Sequence, residues 1–418
     1  MPRLIDIGTV DFDEDIINVL RDDDIVLFER KQKFHSTVIN NKKILLSDWL
    51  NNFSDCIHRS DFSSVIRDDL VYFLYERESN LPFSLSRFQN KLIDKVHNLA
   101  SQLDFYNINE IVFNTTPHNL STYLLYKVAI ETGRVVVWSN INLLESRYSI
   151  RKTTSNKIEY VIPKNNKTKL SKKETVWLED RSKKYTLHDW EVARKKSMRG
   201  SYYNFWVDLL KWYRRLDLVF WKYKIYKTYK AKTGDFKLPN NYILFPLHYQ
   251  PERTTLPEGG SFHNQMYALR LLLESLPKGM VVVAKEHPST FSNMCHWKYR
   301  WPNYYINDKN LVWAPIETDT GMLIKHSEVV ASINGSVGFE AMLLKKKVVF
   351  FAHNIFQKFE NVYYYRNLHS LRDFLALPDN IEPFKNQVIE EHLHYSSESS
   401  GLGINSEVYR SFYLNYLS

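Results

Sequence analysis

The chain has 418 residues, 44% of them hydrophobic, with a formal net charge of +9 and only two cysteines. A chain of this length exceeds one ordinary domain and its apolar content supports sizeable cores, so we expect two domains and exclude a disulfide-stabilised scaffold. The first residues lack the apolar segment of a secretory signal and no apolar run of about 18 residues occurs, so we expect a cytoplasmic protein without a membrane span.

Residues 1–150 predict a first domain in which strands and helices alternate. Strands are predicted at 24–30, 43–49, 110–114 and 134–138, and helices at 83–103 and 120–132. The first helix carries one apolar stripe that consists of Phe88, Leu92, Val96 and Leu99. Because the later elements form a βαβ unit, this domain is expected to be of the α/β class. His118 and Asn119 follow the strand at 110–114 and are expected at the rim of the sheet.

Residues 151–234 predict a basic and aromatic connector. Residues 151–240 contain 24 Lys and Arg against 9 Asp and Glu, whereas the rest of the chain is acidic overall, which indicates an anionic partner. The polar stretch 151–200 is expected to be exposed. Aromatic and basic residues are interleaved in a predicted helix over 204–232, which either packs in a core or lies on an anionic membrane surface. No nucleic-acid-binding motif occurs, so no nucleic acid partner is expected.

Residues 235–418 predict a second α/β domain. Apolar segments predict strands at 242–246, 280–286, 311–314, 329–333 and 348–351. Apolar residues from Met266 to Leu276 recur at helical spacing, and a closing helix is predicted at 407–417. Alternating strands and helices imply a parallel sheet with right-handed crossovers, and ligands bind such sheets beyond the carboxyl ends of the strands.

A first polar cluster follows the predicted strand at 280–286, where His287 precedes Pro288. A histidine at the end of a buried strand can donate a hydrogen bond to a phosphate oxygen, and Lys285 lies two residues earlier on the same face of the strand. Pro288 restricts the backbone directly after the histidine. The alternative is an ordinary strand end whose histidine is satisfied within the protein.

A second cluster, residues 334–338, leads from a strand into a helix and begins with Asn334. Free N–H groups at the start of a helix attract anions, Gly335 allows close approach of a ligand, and Ser336 adds a hydroxyl donor. Glu340, one turn later, can accept hydrogen bonds from ribose hydroxyls. The segment is neither a dinucleotide fingerprint nor a Walker loop. The alternative is an ordinary capped helix whose Glu340 faces water.

The third cluster contains Glu252, which follows Gln250 and Pro251 in the loop after the strand at 242–246. A carboxylate at the rim of a sheet can act as a nucleophile or as a general base. The neighbouring Arg253 favours ionisation of this carboxylate. The alternative is a glutamate that serves only in a turn.

Together these clusters resemble one known family. The shared segments are Gln250-Pro251-Glu252, Pro257-Glu258-Gly259-Gly260, Lys285-Glu286-His287-Pro288 and residues 333–341. Over residues 240–355 the sequence resembles the bacterial capsule polysaccharide biosynthesis proteins, the group that contains retaining β-Kdo transferases. The resemblance implies a GT-B-like α/β architecture, in which two Rossmann-type domains face a central cleft. Residues 1–150 would then bind the acceptor, 151–234 would connect the domains, and 235–418 would bind the nucleotide sugar.

The resemblance also implies a reaction, the transfer of Kdo or a related 2-keto sugar acid from a CMP-activated donor to a capsule or surface polysaccharide or a glycolipid. It makes Glu252 the nucleophile or the base, and makes His287 and Ser336 contacts of the donor phosphate. The other expected nucleotide-binding residues are Gln250, Lys285, Pro288, Asn334, Gly335 and Glu340. The family more commonly has a threonine or a pair of serines where this chain has Ser336. A CMP leaving group carries one phosphate, so neither a metal nor a cofactor is expected.

Two functions of other classes stay open. A CDP-glycerol-type polymer phosphotransferase also uses a His-Pro motif, but would transfer phosphoglycerol instead of a sugar. A non-catalytic scaffold that binds glycan or lipid during capsule assembly would release no CMP. For the glycosyltransferase, lipid-linked acceptors imply a cytoplasmic enzyme at the inner membrane, with residues 204–232 in contact with anionic lipid.

Overall fold

The computed structural model describes residues 2–8, 16, 18–28, 43–46, 85–141, 147–155, 157–163, 169–183, 227–249, 253–287, 306–356, 359, 361–377, 384–398 and 406–417. The chain divides into two compact units, Met1–Leu170 with Ile389–Ser418, and Ser171–Val388. Each unit is built on a sheet in which parallel strands predominate. The predicted fold class, α/β with two Rossmann-type domains, is therefore confirmed at the level of each unit.

The first unit is built on an eight-stranded sheet. Its strands are β1 (Arg3–Gly8), β2 (Ile25–Phe28), β3 (Lys43–Leu46), β4 (Glu110–Phe113), β5 (Val135–Ile141), β6 (Arg147–Thr153), β7 (Ile158–Val161) and β14 (Ser397–Glu398). The order is β14-β6-β5-β4-β1-β2-β3, and β7 pairs with β6. The strands from β3 to β5 are parallel, whereas β6, β7 and β14 form an antiparallel extension.

Two helices of the first unit, α1 (Leu85–Phe105) and α2 (Leu120–Glu131), agree with the predicted ones. The apolar stripe of α1 is buried, because Phe88, Leu92, Val96 and Leu99 are each exposed by 2% or less. Helix α2 ends as predicted before Gly133, whose φ of 78° lies in the left-handed region that a glycine adopts without strain. The βαβ unit from β4 to β5 is therefore present.

The antiparallel extension differs from the exposed connector that was predicted from residue 151 onward. Arg147 and Arg151 of β6 are buried, and the guanidinium of Arg151 lies over the ring of Trp138 at 5.1 Å from its centroid. Long basic side chains can cover apolar surface with their aliphatic stems, so basic residues do not by themselves indicate exposure. The segment after β7 contains α3 (Lys172–Lys183), which belongs to the second unit.

The predicted closing helix is present as α9 (Ser406–Leu417), after α8 (Phe384–His394). It was expected in the second domain, but it packs on the sheet of the first unit. The hydroxyl of Tyr413 donates to the carbonyl of Asp6 in β1, and that of Tyr416 donates to Glu110 Oε1 at 2.6 Å. Burial and the adjacent carboxylate raise the pKa of Tyr416. These contacts explain why the helix returns to the first unit.

The second unit is built on a six-stranded sheet that is parallel throughout. Its strands are β8 (Tyr242–Pro246), β9 (Val281–Lys285), β10 (Leu311–Ala314), β11 (Val329–Ser332), β12 (Lys347–Phe350) and β13 (Val362–Tyr364). Its other helices are α4 (Gln265–Ser275), α5 (Thr320–His326), α6 (Ser336–Leu343) and α7 (Leu368–Ala376). The strand order β10-β9-β8-β11-β12-β13 is the 3-2-1-4-5-6 order of a Rossmann fold.

Most of the predicted membrane-contacting segment, residues 204–226, lies outside the described residues. The described end, residues 227–233, is helical, and Tyr229 is 1% exposed, with its hydroxyl accepting from the N–H of Ile316 at 2.6 Å. This end therefore contributes to the core of the second unit. Among the described residues, no helix combines the length and the hydropathy that crossing a membrane requires.

Candidate functional site

The strand order of the second unit locates its ligand site. From β8 the chain crosses to β9, toward one edge of the sheet, whereas from β11 it crosses to β12, toward the opposite edge. Strands β8 and β11 are neighbours, so the direction in which the chain crosses the sheet reverses between these two strands. Ligands of open parallel sheets bind at such a switch point, beyond the carboxyl ends of the strands. The residues directly after β8 and β11 are therefore the first candidates for ligand contact.

The segment after β8 is held by the first residue of α4. The N–H of His248 donates to Oε1 of Gln265 at 2.6 Å, and Nε2 of Gln265 donates to the carbonyl of His248 at 3.0 Å. Gln265 is 1% exposed, so these two hydrogen bonds are shielded from water. The backbone of His248 is therefore fixed at the switch point.

The ring of His248 contacts the segment after β11. Its Nε2 lies 3.2 Å from Oγ of Ser332, and the same Oγ accepts from the N–H of Gly335 at 3.0 Å. Burial lowers the pKa of His248 to about 4, so the imidazole is neutral near neutral pH. No sequence motif indicates this histidine, because the hydrogen-bond partner of its ring lies more than 80 positions away in the chain.

The packing of the His248 ring requires a glycine at position 335. A Cβ atom there would lie 2.2 Å from Cε1 of His248, which is far inside van der Waals contact. The φ of Gly335 is −97°, so backbone strain is not the reason for the glycine. The ring of His248 therefore approaches Gly335 closely, and the approach of a ligand to this glycine stays a prediction.

The end of a third strand, β9, lies beside the end of β8. The ring of His287, after β9, packs against the ring of Tyr249, after β8, with a centroid distance of 5.8 Å. The carbonyl of Lys285 accepts from the N–H of Leu247 at 2.8 Å, and Lys285 is buried. The predicted histidine and lysine thus lie beside the segment that holds His248.

The loop after Arg253 covers the segment after β11. Oε2 of Glu258 accepts from Nδ2 of Asn334 at 3.1 Å, and Glu258 is buried. A Cβ on Gly259 would lie 3.1 Å from Cγ2 of Ile333, so the two loops are in close contact. Glu258 therefore positions the side chain of Asn334, one of the predicted nucleotide contacts.

Helix α6 begins at Ser336, which is exposed, and its N-cap residue, Gly335, has no side chain that could cap the first turn. The first N–H groups of such a helix face outward without partners inside the helix. Glu340 is 5% exposed and so does not face water. Ser336 is therefore accessible for the predicted phosphate contact, whereas Glu340 is part of the buried face.

The structure thus brings together His287, Lys285, Asn334, Gly335 and Ser336 at one edge of the sheet. The predicted site residues Gln250, Glu252 and Pro288 lie outside the described residues. Within the described ranges, no group of three or more His, Cys, Asp and Glu side chains could hold a metal ion.

The first unit has its own polar edge. His118 and Asn119 follow β4, as predicted, and Nδ1 of His118 contacts the carbonyl of Thr116 at 2.7 Å. The hydroxyl of Thr116 donates to Oδ1 of Asn140, which also accepts from Nε1 of Trp138. These residues form a second hydrogen-bonded cluster at the carboxyl ends of β4 and β5.

Lowering the pH from about 7 to about 4.5 is expected to destabilise the wild type more than His248→Asn, a variant without this titrating group. A histidine whose pKa is lower in the folded state, here about 4 instead of 6.5, stabilises the fold least when protons are abundant. The full contribution is present above pH 6.5 and is lost toward pH 4, up to about 3 kcal/mol. Urea denaturation at several pH values measures the difference, and parallel pH profiles of the two proteins would contradict it.

No known protein family and no curated protein matches the sequence. Among solved structures, KpsC of Thermosulfurimonas dismutans, a β-Kdo 2,7-transferase, is 11% identical with a TM-score of 0.33, over 86% of this chain and 98% of that chain. The UDP-GlcNAc 2-epimerase of Methanocaldococcus jannaschii is 13% identical with a TM-score of 0.28, over 94% of this chain and 98% of that chain. Anabaena Alr3699/HepE in complex with UDP and glucose is 10% identical with a TM-score of 0.27, over 94% of this chain and 92% of that chain. Likenesses of this size do not assign a family or an activity.

Proposed function

We propose that the chain is a glycosyltransferase that moves Kdo or a related 2-keto sugar acid from a CMP-activated donor to a glycan or lipid-linked acceptor. In this proposal the second unit, whose sheet has Rossmann strand order, binds the donor. The acceptor binds to the first unit, at the polar edge where Thr116, His118 and Asn140 form a hydrogen-bonded cluster.

One observation carries the proposal: the segments that follow β8, β9 and β11 meet at the switch point of a sheet with Rossmann strand order. These segments contain the motifs that resemble the capsule polysaccharide biosynthesis proteins. The described residues of these motifs, which include His287, Asn334 and Ser336, are far apart in sequence and follow strands that end at the edge where nucleotides bind, which supports a common role.

Each motif has a chemical task in the proposed reaction. Departure of CMP places negative charge on its phosphate, which the N–H of His287, the hydroxyl of Ser336 and the start of α6 stabilise. The anomeric carbon becomes electron-deficient, and Glu252 supplies the carboxylate that attacks it or activates the acceptor. Attack by Glu252 forms a glycosyl ester and releases CMP. The acceptor hydroxyl then attacks the anomeric carbon and breaks the ester bond, so that the carboxylate of Glu252 is restored and the hydroxyl proton is released to water. The product then retains the anomeric configuration of the donor.

The location of the enzyme is part of the same proposal. An acceptor linked to lipid is found at the inner membrane, and the basic residues of 204–232 would hold a cytoplasmic enzyme near anionic headgroups. The excess of Lys and Arg in 151–240 supports this electrostatic contribution.

The nucleotide class is tested by thermal unfolding with added CMP, UDP, GDP or ADP. We expect CMP to raise the unfolding temperature most, because a ligand that binds only the folded state stabilises it by mass action. The rise should saturate with the CMP concentration. Stabilisation by UDP without stabilisation by CMP would exclude a cytidine nucleotide as the donor.

Replacing His287, the proposed phosphate contact, with alanine (His287→Ala) is expected to weaken CMP binding and to slow turnover. Loss of one hydrogen bond to a charged group costs about 1.5–3 kcal/mol, which corresponds to roughly 10- to 150-fold in affinity. Calorimetric titration measures the loss, and cytidine, which has no phosphate, is the control ligand. If His287→Ala weakened CMP and cytidine equally, the histidine would not be a phosphate contact.

A further inference from the structure

The hydroxyl group of Ser332 determines which nitrogen of His248 carries a hydrogen. Ser332 is fully buried, and its Oγ already accepts the N–H of Gly335. A buried hydroxyl hydrogen needs an acceptor. Within the described part of the chain, His248 Nε2 at 3.2 Å is the only acceptor in contact with this Oγ. Nε2 therefore accepts from the serine and carries no hydrogen.

The other ring nitrogen of His248 is then a donor. In a neutral imidazole one nitrogen is a donor when the other is an acceptor, and burial keeps this ring neutral by lowering its pKa to about 4. Nδ1 makes no hydrogen bond to any residue that the structure describes, and His248 as a whole residue is of intermediate exposure. Nδ1 also lies 3.1 Å from the position of a Cβ on Gly335, the residue directly before α6.

We propose that His248 is a further donor-binding residue, whose Nδ1–H donates a hydrogen bond to an anionic oxygen of the nucleotide-activated sugar acid. This inference rests on the proposed function, because it assumes that the activated sugar binds at the switch point. The oxygen belongs either to the phosphate or to the sugar carboxylate, since both are anionic acceptors. Gln265 fixes the backbone and Ser332 fixes the ring, so the N–H is oriented before the substrate binds.

Two amide variants separate the two ring nitrogens. His248→Asn places an amide nitrogen close to the position of Nδ1, whereas His248→Gln places its amide close to the position of Nε2. We expect the asparagine variant to keep most of its affinity for CMP-Kdo, and the glutamine variant to bind it roughly 10- to 150-fold more weakly. Calorimetry measures the affinities, and thermal unfolding shows that both variants are folded.

Comparing the losses of affinity for different ligands shows which oxygen of the substrate accepts the hydrogen bond from Nδ1. A loss in His248→Gln that appears with CMP but not with cytidine assigns the contact to the phosphate, whereas a loss that appears only with CMP-Kdo assigns it to the carboxylate. Equal affinities of the wild type and both variants, or equal losses in both variants, would overturn the proposal.

Failure of the proposed function is distinguishable from failure of this contact. If UDP binds and CMP does not, the cytidine assignment is wrong, and the same two variants titrated with UDP still test the histidine. Nitrogen NMR of the labelled imidazole tests the tautomer without any ligand. A hydrogen on Nε2 of His248 at neutral pH would overturn the inference, whereas a hydrogen on Nδ1 supports it.

Discussion

Glu252→Gln is expected to abolish sugar transfer while leaving CMP binding nearly intact. The carboxamide has the shape of the carboxylate, so packing changes little, but it is neither a nucleophile nor a base at neutral pH. Removal of a covalent nucleophile costs on the order of 1,000-fold or more in turnover. The expected result is therefore a folded protein with wild-type affinity for CMP and no detectable product.

Glu258→Gln is the matched control, because Glu258 follows Glu252 closely in the sequence and its Oε2 accepts a hydrogen bond from Asn334. Glutamine keeps an acceptor oxygen, so this variant should retain transfer. Mass spectrometry of the wild type with donor alone should show a sugar adduct on the peptide that contains Glu252. Near-normal transfer by Glu252→Gln together with an inactive Glu258→Gln would move the catalytic role to Glu258. Inversion at the anomeric carbon, read by NMR, would make Glu252 a general base.

Gly335→Ala is expected to destabilise the second unit and to remove most of the CMP binding. The added Cβ would lie 2.2 Å from Cε1 of His248. The ring cannot retreat freely, because Gln265 holds its backbone and Ser332 contacts its Nε2. Overpacking of this kind costs about 1–3 kcal/mol. Thermal unfolding measures the loss, and calorimetry measures the affinity for CMP.

A second substitution tests whether the contact between the added Cβ and the ring of His248 causes the loss of stability. In His248→Ala with Gly335→Ala, the space of the ring is free, so this double variant should unfold at a higher temperature than Gly335→Ala alone. Ser336→Ala, at the adjacent exposed position, should keep the wild-type unfolding temperature. Wild-type stability of Gly335→Ala, or a double variant less stable than it, would contradict the packing of His248 on Gly335.

The parallel core of the second unit could be predicted because its strands are short apolar runs. Strands β8 and β10 have the predicted bounds, and β9, β11 and β12 differ by one residue at one or both ends. The extension by β6 and β7 could not be predicted, because buried basic residues such as Arg151 give a segment the composition of an exposed connector. The placement of α9 on the first unit depends on long-range contacts such as that of Tyr416 with Glu110.

Part of the candidate site could also be predicted from the short apolar strands. His287 and the residues from Asn334 to Ser336 follow strands directly, so their meeting at one edge follows from the parallel topology. His248 also follows a strand, but its importance comes from Ser332 and Gly335, which are distant in sequence. The role of Glu258 likewise depends on a hydrogen bond to Asn334 that no spacing rule indicates.

The most direct test of the central claim is a transfer assay in which the full chain receives CMP-Kdo or CDP-glycerol as donor, together with a capsule-type glycan acceptor. CMP release and the mass of the acceptor are measured in each reaction. The proposed function predicts CMP release from CMP-Kdo and an acceptor that is heavier by one sugar acid residue, with no change from CDP-glycerol. Growth of the acceptor by phosphoglycerol, or binding of either donor without any release of CMP, would contradict it.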